Sequence, residues 1–92
     1  MKIDVFGKPG CAKCESSKAK LAHYLNKWEA EDVALNFVDM DTPDGMAQGV
    51  FHNVFNVIPV TIAFDDNDQP VGRWEGAVPP SDEVAKAIGI SQ

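Results

Sequence analysis

"KPGCAKCESSK", Lys8 to Lys18, holds both cysteines of a 92-residue chain. They stand two residues apart, directly after a proline-glycine turn. Upstream, Lys2 to Phe6 alternates like a short strand, and Gly7-Lys8-Pro9-Gly10 breaks it. Downstream, Cys14, Leu21, Leu25 and Trp28 recur at helical intervals or their multiples, with lysines and glutamates filling much of the remainder. The spacing predicts a helix from Cys11 or Ala12 to Glu31, followed by a strand from Val33 to Val38. A crossover this long between two strands implies a parallel, right-handed unit.

Asp41-Thr42-Pro43-Asp44 then opens a second helix, with Thr42 as N-cap and Pro43 at the first helical position, where its missing N–H costs nothing. Met46, Val50 and Val54, with Ala47 and Phe51 beside them, supply its expected apolar face. Val60 to Phe64 is a third strand, and the polar turn Asp66-Asn67-Asp68 is short enough to return Val71 to Glu75 as an antiparallel partner. Pro79-Pro80-Ser81 leads into a last helix with Asp82 and Glu83 in its first turn and Gly89 at its end. The order is βαβαββα: an α/β domain spanning residues 1–92, with a four-stranded mixed sheet and helices on both faces.

Composition narrows the function. Apolar residues make up 45% of the chain and charged residues 24%, as in ordinary globular domains. A net charge of −6 argues against nucleic acid, which needs a clustered basic face, and against anionic membrane surfaces. Met1 to Phe6 lacks the apolar stretch of a signal peptide, and the run Val54 to Phe64 is interrupted by Asn56, Pro59 and Thr61. A cytoplasmic address is the expectation, and there a thiol pair is rarely a structural staple.

A Cys-x-x-Cys at a strand–turn–helix mouth has an electrostatic consequence. Cys11 falls at the helix N-terminus, where unpaired N–H groups and the positive dipole end stabilise a thiolate. Lys8 and Lys13 add positive charge, while Glu15 opposes it from a turn into the helix. Such settings lower a cysteine pKa from about 8.5 to roughly 3.5–7.5. Cys14 falls on the apolar face and is expected to be sheltered. One accessible nucleophile and one sheltered resolving thiol are what disulfide exchange requires. A zinc site wants four ligands, and His23, nine residues beyond Cys14 on the same helix, stands about 13 Å away along the axis. A metal shared between two chains, or an inert pair of core cysteines, are the other readings. Exchange is favoured over both.

"KPGCAKC" after a strand resembles the active-site turn of glutaredoxins, and "NVIPVTIAF" resembles the cis-proline segment of the thioredoxin superfamily. The likeness covers essentially the whole chain and implies the minimal thioredoxin fold. It further implies that Cys11 attacks, Cys14 resolves, and the two form a redox-active disulfide. Pro59 is then a cis-proline facing them, with the backbone of Ile58 and the Lys8 side chain contacting substrate. There are departures. Thioredoxins carry tryptophan before the first cysteine and Gly-Pro between the two, where this chain has Gly10 and Ala12-Lys13. Their buried acid corresponds to Val5 here, with the adjacent Asp4 expected to face the other way. The aromatic or proline that glutaredoxins place between the cysteines is missing, and their glycine pair with acidic residues is only faintly echoed by Gly76-Ala77 and Asp82-Glu83. "GAVPPSDEV" looks more like a thioredoxin ending.

The resemblance thus implies a monomeric thiol–disulfide oxidoreductase acting on disulfide-containing proteins or small molecules. It needs no metal or organic cofactor, and its electron donor is a thioredoxin-reductase-type enzyme or, alternatively, glutathione as co-substrate. A thioredoxin-fold module that senses redox state or bridges chains through a metal is the non-enzymatic alternative. Trp28 and Trp74 are read as packing residues, and His23 and His52 as solvated ones. Asp41 and Asp44 belong to the start of the second helix, and Asp65, Asp66 and Asp68 to the hairpin turn.

Overall fold

The structure, a computed structural model, describes residues 1–90. The strands are β1 (Lys2–Gly7), β2 (Ala34–Asp39), β3 (Val60–Phe64) and β4 (Pro70–Glu75), and the helices α1 (Ala12–Lys27), α2 (Pro43–Phe51) and α3 (Ser81–Ile88). They follow one another as βαβαββα, as expected. The sheet order is β2-β1-β3-β4. β1 and β2 run parallel, and β3 is antiparallel to both β1 and β4. Every residue of β3 is buried, because a strand with sheet on both sides and helices on both faces has no wet side.

The faces carry separate cores. Ile3, Val5 and Ala63 pack with Leu21 and Leu25 of α1 and Val84 and Ile88 of α3. Phe6, Val38, Val60, Ile62 and Phe64 point the other way, against Met40 and Val54. Trp28 and Trp74 pack against the first core, with Trp28 stacked on Tyr24 at a centroid distance of 5.5 Å. Among the described residues no helix is long and apolar enough to cross a membrane.

Several expectations are corrected by packing. α1 stops at Lys27, short of Glu31. Glu29 adopts a left-handed φ of 53°, and the Glu29 and Ala30 N–H groups donate to the carbonyls of Asn26 and Leu25 at 3.1 and 3.0 Å. This double bond pattern ends a helix. Trp28 to Glu31 are adequate helix formers, but the turn delivers Ala30 and Val33 into the core instead. β2 starts and ends one residue later than expected, and β4 starts one earlier, at Pro70 on the sheet edge, where a missing N–H is tolerated.

The largest correction concerns α2. Its start is as predicted: Thr42 Oγ1 accepts from the Gly45 N–H at 3.0 Å, and Pro43 begins the helix. Its expected apolar face, however, points outward, with Met46, Val50 and Phe51 exposed by 54%, 58% and 81%. The face turned inward carries Gly45 and Gly49. A Cβ at Gly45 would strike the Asp39 carbonyl, and one at Gly49 would meet the Met40 sulfur at 2.8 Å. The absence of side chains lets the helix backbone sit directly on the end of β2, and that close approach turns the larger residues outward. Val54, which its spacing assigns to the same face, lies beyond the helix and is buried in the second core.

His52 is also corrected. It is half-buried, its ring 5.8 Å from Phe6, 5.0 Å from Phe51 and 5.1 Å from Phe64. Asp4 does lie on the sheet face opposite Val5, yet it is only 4% exposed; Asn36 Nδ2 donates to it at 3.0 Å and Lys2 Nζ stands 3.9 Å away.

The orientation of α2 yields a paired expectation for urea unfolding. Gly45→Ala should cost about 1–3 kcal/mol, because backbone must move to admit one methyl group. Val50→Asp on the outward face should change stability by no more than about 0.5 kcal/mol. The reverse ranking would mean that α2 buries its large residues.

Candidate active site

The site begins with a turn. Lys8-Pro9-Gly10-Cys11 closes on a hydrogen bond from the Cys11 N–H to the Lys8 carbonyl at 3.3 Å, with Gly10 at φ +82°. Proline at the second position and glycine with positive φ at the third are what a type II turn demands. The turn reverses the chain at the end of β1 and delivers Cys11 to the N-cap of α1 in an extended conformation, φ −83° and ψ 114°. There the Cys11 sulfur accepts from the Cys14 N–H at 3.2 Å, and the Cys11 carbonyl accepts from the Glu15 N–H at 3.0 Å. Sulfur takes the place that serine or aspartate oxygen fills at other helix starts.

Cys11 and Cys14 are joined by a disulfide. The two sulfurs occupy different environments: Cys11 is partly exposed, whereas Cys14 is 0% exposed. That burial depends on Gly7, where an added Cβ would lie 2.7 Å from the Cys14 sulfur and 2.8 Å from its Cβ. The sequence predicts Gly7 to break the strand; in the structure it is the last residue of β1 and the floor beneath Cys14. The signal was a glycine that ends a strand just ahead of a second, turn-forming glycine.

The other wall comes from the loop before β3. Phe6 pairs with Val60, so Pro59 falls one position beyond the last ladder pair, opposite Gly7. The Ile58–Pro59 bond is cis, as expected. Pro59 is buried, and its carbonyl accepts from the Gly76 N–H at 2.8 Å, tying the loop to the end of β4. Ile58 packs at the edge of the second core and stays partly open. The topology thus gathers Gly7, Cys11, Cys14, Ile58 and Pro59 at one end of the sheet. Lys8 stands on the same turn, its ammonium 3.6 Å from an Asp41 carboxylate oxygen. That exposed pair engages the charge only loosely.

Two buried groups were not legible in the sequence. The hydroxyls of Ser17 and Thr61 are fully buried and have no hydrogen-bond partner among the described residues. Leaving a buried hydroxyl unpaired costs on the order of 1–3 kcal/mol.

No protein-family profile matches the sequence, and no curated protein matches it. Solved structures do match. Thioredoxin 1 from Thermosipho africanus superimposes with a TM-score of 0.71 at 20% identity, covering 95% of this chain and 89% of that one. Thioredoxin O2 from Arabidopsis thaliana, in its oxidised state, gives 0.71 at 18% identity over 92% of this chain and 69% of that one. A malarial protein gives 0.68 at 14% identity over 94% and 90%. The chain has the thioredoxin fold. Within a thioredoxin fold of this minimal size, the Cys11–Cys14 disulfide sits at the first helix start and the cis-proline opens the third strand.

The unequal burial has a direct chemical test. In the reduced, folded protein iodoacetamide should modify Cys11 and leave Cys14 unmodified until denaturant is added, as read by mass mapping. Faster labelling of Cys14 would invert their assigned roles.

Proposed function

We propose that this chain is a thiol–disulfide oxidoreductase of the glutaredoxin/thioredoxin type, cycling between the Cys11/Cys14 dithiol and disulfide. One observation carries the reading: a disulfide at a helix N-terminus joins a partly exposed cysteine to one wholly buried. Attack requires access and a stabilised thiolate, which the helix start offers to Cys11. Resolution requires a second thiol within reach but shielded from competing partners, which is the place of Cys14.

Disulfide-bearing proteins are the substrate class we favour. Phe55 and Val57, exposed by 62% and 48%, precede Ile58 and Pro59 and give the site an apolar margin on one side. Exposed apolar surface beside a reactive centre suits a polypeptide partner. The free backbone before Pro59 would take an incoming segment as an added strand.

For the electron donor we favour a thioredoxin-reductase-type enzyme over glutathione. Glutathione binding calls for backbone donors around the Gly76 turn. Gly76 already gives its N–H to the Pro59 carbonyl, and Pro79 and Pro80 have none to give. The case for glutathione rests on Lys8, an exposed side chain that Asp41 engages only loosely.

Trapping separates an enzyme from a module that merely carries thiols. Cys14→Ser should accumulate a mixed disulfide with a reducible protein substrate, and Cys11→Ser should accumulate none. Equal trapping by both variants contradicts the division of labour; trapping by neither contradicts catalysis. With the wild-type protein, insulin reduction driven by thioredoxin reductase and a nicotinamide donor should exceed that driven by millimolar glutathione. The opposite ranking would make glutathione the donor.

A further inference from the structure

The buried hydroxyls of Ser17 and Thr61 gain a purpose from where the fold puts them. Ile3, Val5 and Gly7 share one face of β1, since side chains two apart point the same way. The Cβ direction of Gly7 runs into Cys14, so this face looks at α1. Ser17 is one turn beyond Cys14, about 4.5 Å further along the helix axis, and i, i+3 side chains are neighbours. Helical side chains lean toward the N-terminus, so a hydroxyl on Ser17 leans toward Cys14. Thr61 is the cross-strand partner of Val5, and directly paired residues share a face. Both hydroxyls therefore stand in the layer immediately below the Cys14 sulfur.

Among the described residues, that layer otherwise has no uncommitted side-chain donor to offer an anion. By register the sheet residues on this face are Ile3, Val5 and Ala63, Leu35 and Phe37 of β2, and Trp74 of β4, whose indole N–H is already given to Glu83 at 2.9 Å. The titratable one is half-buried Asp39, the partner of Gly7 at the end of β2, an acceptor whose carboxylate takes the Asp41 N–H at 2.9 Å. From α3 it receives Val84, Ala85 and Ile88, while Asp82, Glu83 and Lys86 are exposed. On α1, Lys13, Glu15 and Lys18 are exposed, with the Lys18 ammonium over the Phe37 ring, and the Tyr24 hydroxyl donates to the Pro79 carbonyl. Lys8 lies on the turn above, beside Asp41. Asp4 faces the other side of the sheet, where Asn36 holds it. Among the described residues, a thiolate at Cys14 would be buried with these hydroxyls as its only uncommitted side-chain donors from below.

We propose that Ser17 and Thr61 are positioning residues for Cys14: their hydroxyls, unpartnered while the disulfide is closed, donate to the Cys14 sulfur when it opens. This rests on the exchange reaction proposed above. In that reaction the Cys11 thiolate attacks a substrate disulfide, forming a Cys11–substrate bond and expelling one substrate thiolate. The Cys14 thiol gives its proton to that leaving thiolate or to water. The Cys14 thiolate, held by the two hydroxyls, then attacks the Cys11 sulfur. The Cys11–Cys14 bond forms, the mixed disulfide breaks, and the second substrate sulfur leaves as thiolate. Two electrons pass from the protein dithiol to the substrate disulfide.

The test uses reduced wild-type protein and dithiobis(nitrobenzoate) in stopped flow. Cys11 attack releases one coloured thionitrobenzoate, and resolution by Cys14 releases a second. In Ser17→Ala and Thr61→Val the pH midpoint of the second phase should rise by about one unit each, slowing it about tenfold at neutral pH. The first phase should not change. Thr61→Ser, which keeps the hydroxyl, should keep the wild-type midpoint. Because the hydroxyls are unpaired in the disulfide form, neither Ser17→Ala nor Thr61→Val should lower the melting temperature of oxidised protein. Coincident second-phase profiles in all variants would overturn the proposal while leaving exchange intact, as would equal destabilisation of oxidised and reduced protein by the two substitutions. If the wild-type protein shows no second phase, exchange itself fails.

Discussion

The close approach of Cys14 to Gly7 governs this domain. A helix must leave the end of β1 and lie back across the sheet, and its first turn can settle there only if the strand beneath it has no side chain. Glycine meets that condition, and an added Cβ would lie 2.7 Å from the Cys14 sulfur. Once α1 is seated, Leu21 and Leu25 reach the core of Ile3, Val5 and Ala63 further along the same face. Cys11, three residues before Cys14, is left at the rim. The unequal exposure of the two sulfurs is therefore a packing result before it is a chemical one.

The same device recurs on the opposite face. α2 is seated by Gly45 and Gly49 against the end of β2, and both helices lie close to the sheet because glycine removes the side chain that would hold them off. On α1 the glycine is in the strand, so the helix's large residues face inward. On α2 the glycines are in the helix, so its large residues face out. The loop from His52 to Pro59 then carries the burial that α2 does not, through His52 among three phenylalanines and Val54 in the second core. Arg73 secures that loop, its guanidinium donating to the His52 and Asn53 carbonyls at 2.6 and 2.9 Å. A loop held this way can present Ile58 and Pro59 in one place beside the disulfide.

An apolar layer below a disulfide poses a chemical difficulty for the exchange proposed above. When the bond opens, one sulfur must become an anion in surroundings built to exclude water, and burial penalises charge unless donors are at hand. Cys11 meets this at the helix start. Cys14, a full turn inside and covered, has a smaller share of that field. Orphaned hydroxyls in its neighbourhood fit this need and have no use in the closed form.

By itself, the sequence determined the order of elements, the parallel crossover, the turn of Lys8 to Cys11 and the caps at Thr42 and Gly89. Each of these depends on local chemistry: a proline's fixed φ, a glycine's positive φ, a hydroxyl accepting from a backbone N–H two or three residues on. The cysteine spacing and its position after a strand also made the candidate site legible. Which face of α2 turned inward was decided by tertiary structure. Periodicity marks where large residues recur, and it cannot reveal that a pair of glycines makes closer contact than they do. The end of α1, the burial of His52 and the burial of the Ser17 and Thr61 hydroxyls without a described partner were settled in the same way. Each depends on residues distant in the chain, brought together only when strands pair in register and helices close over them.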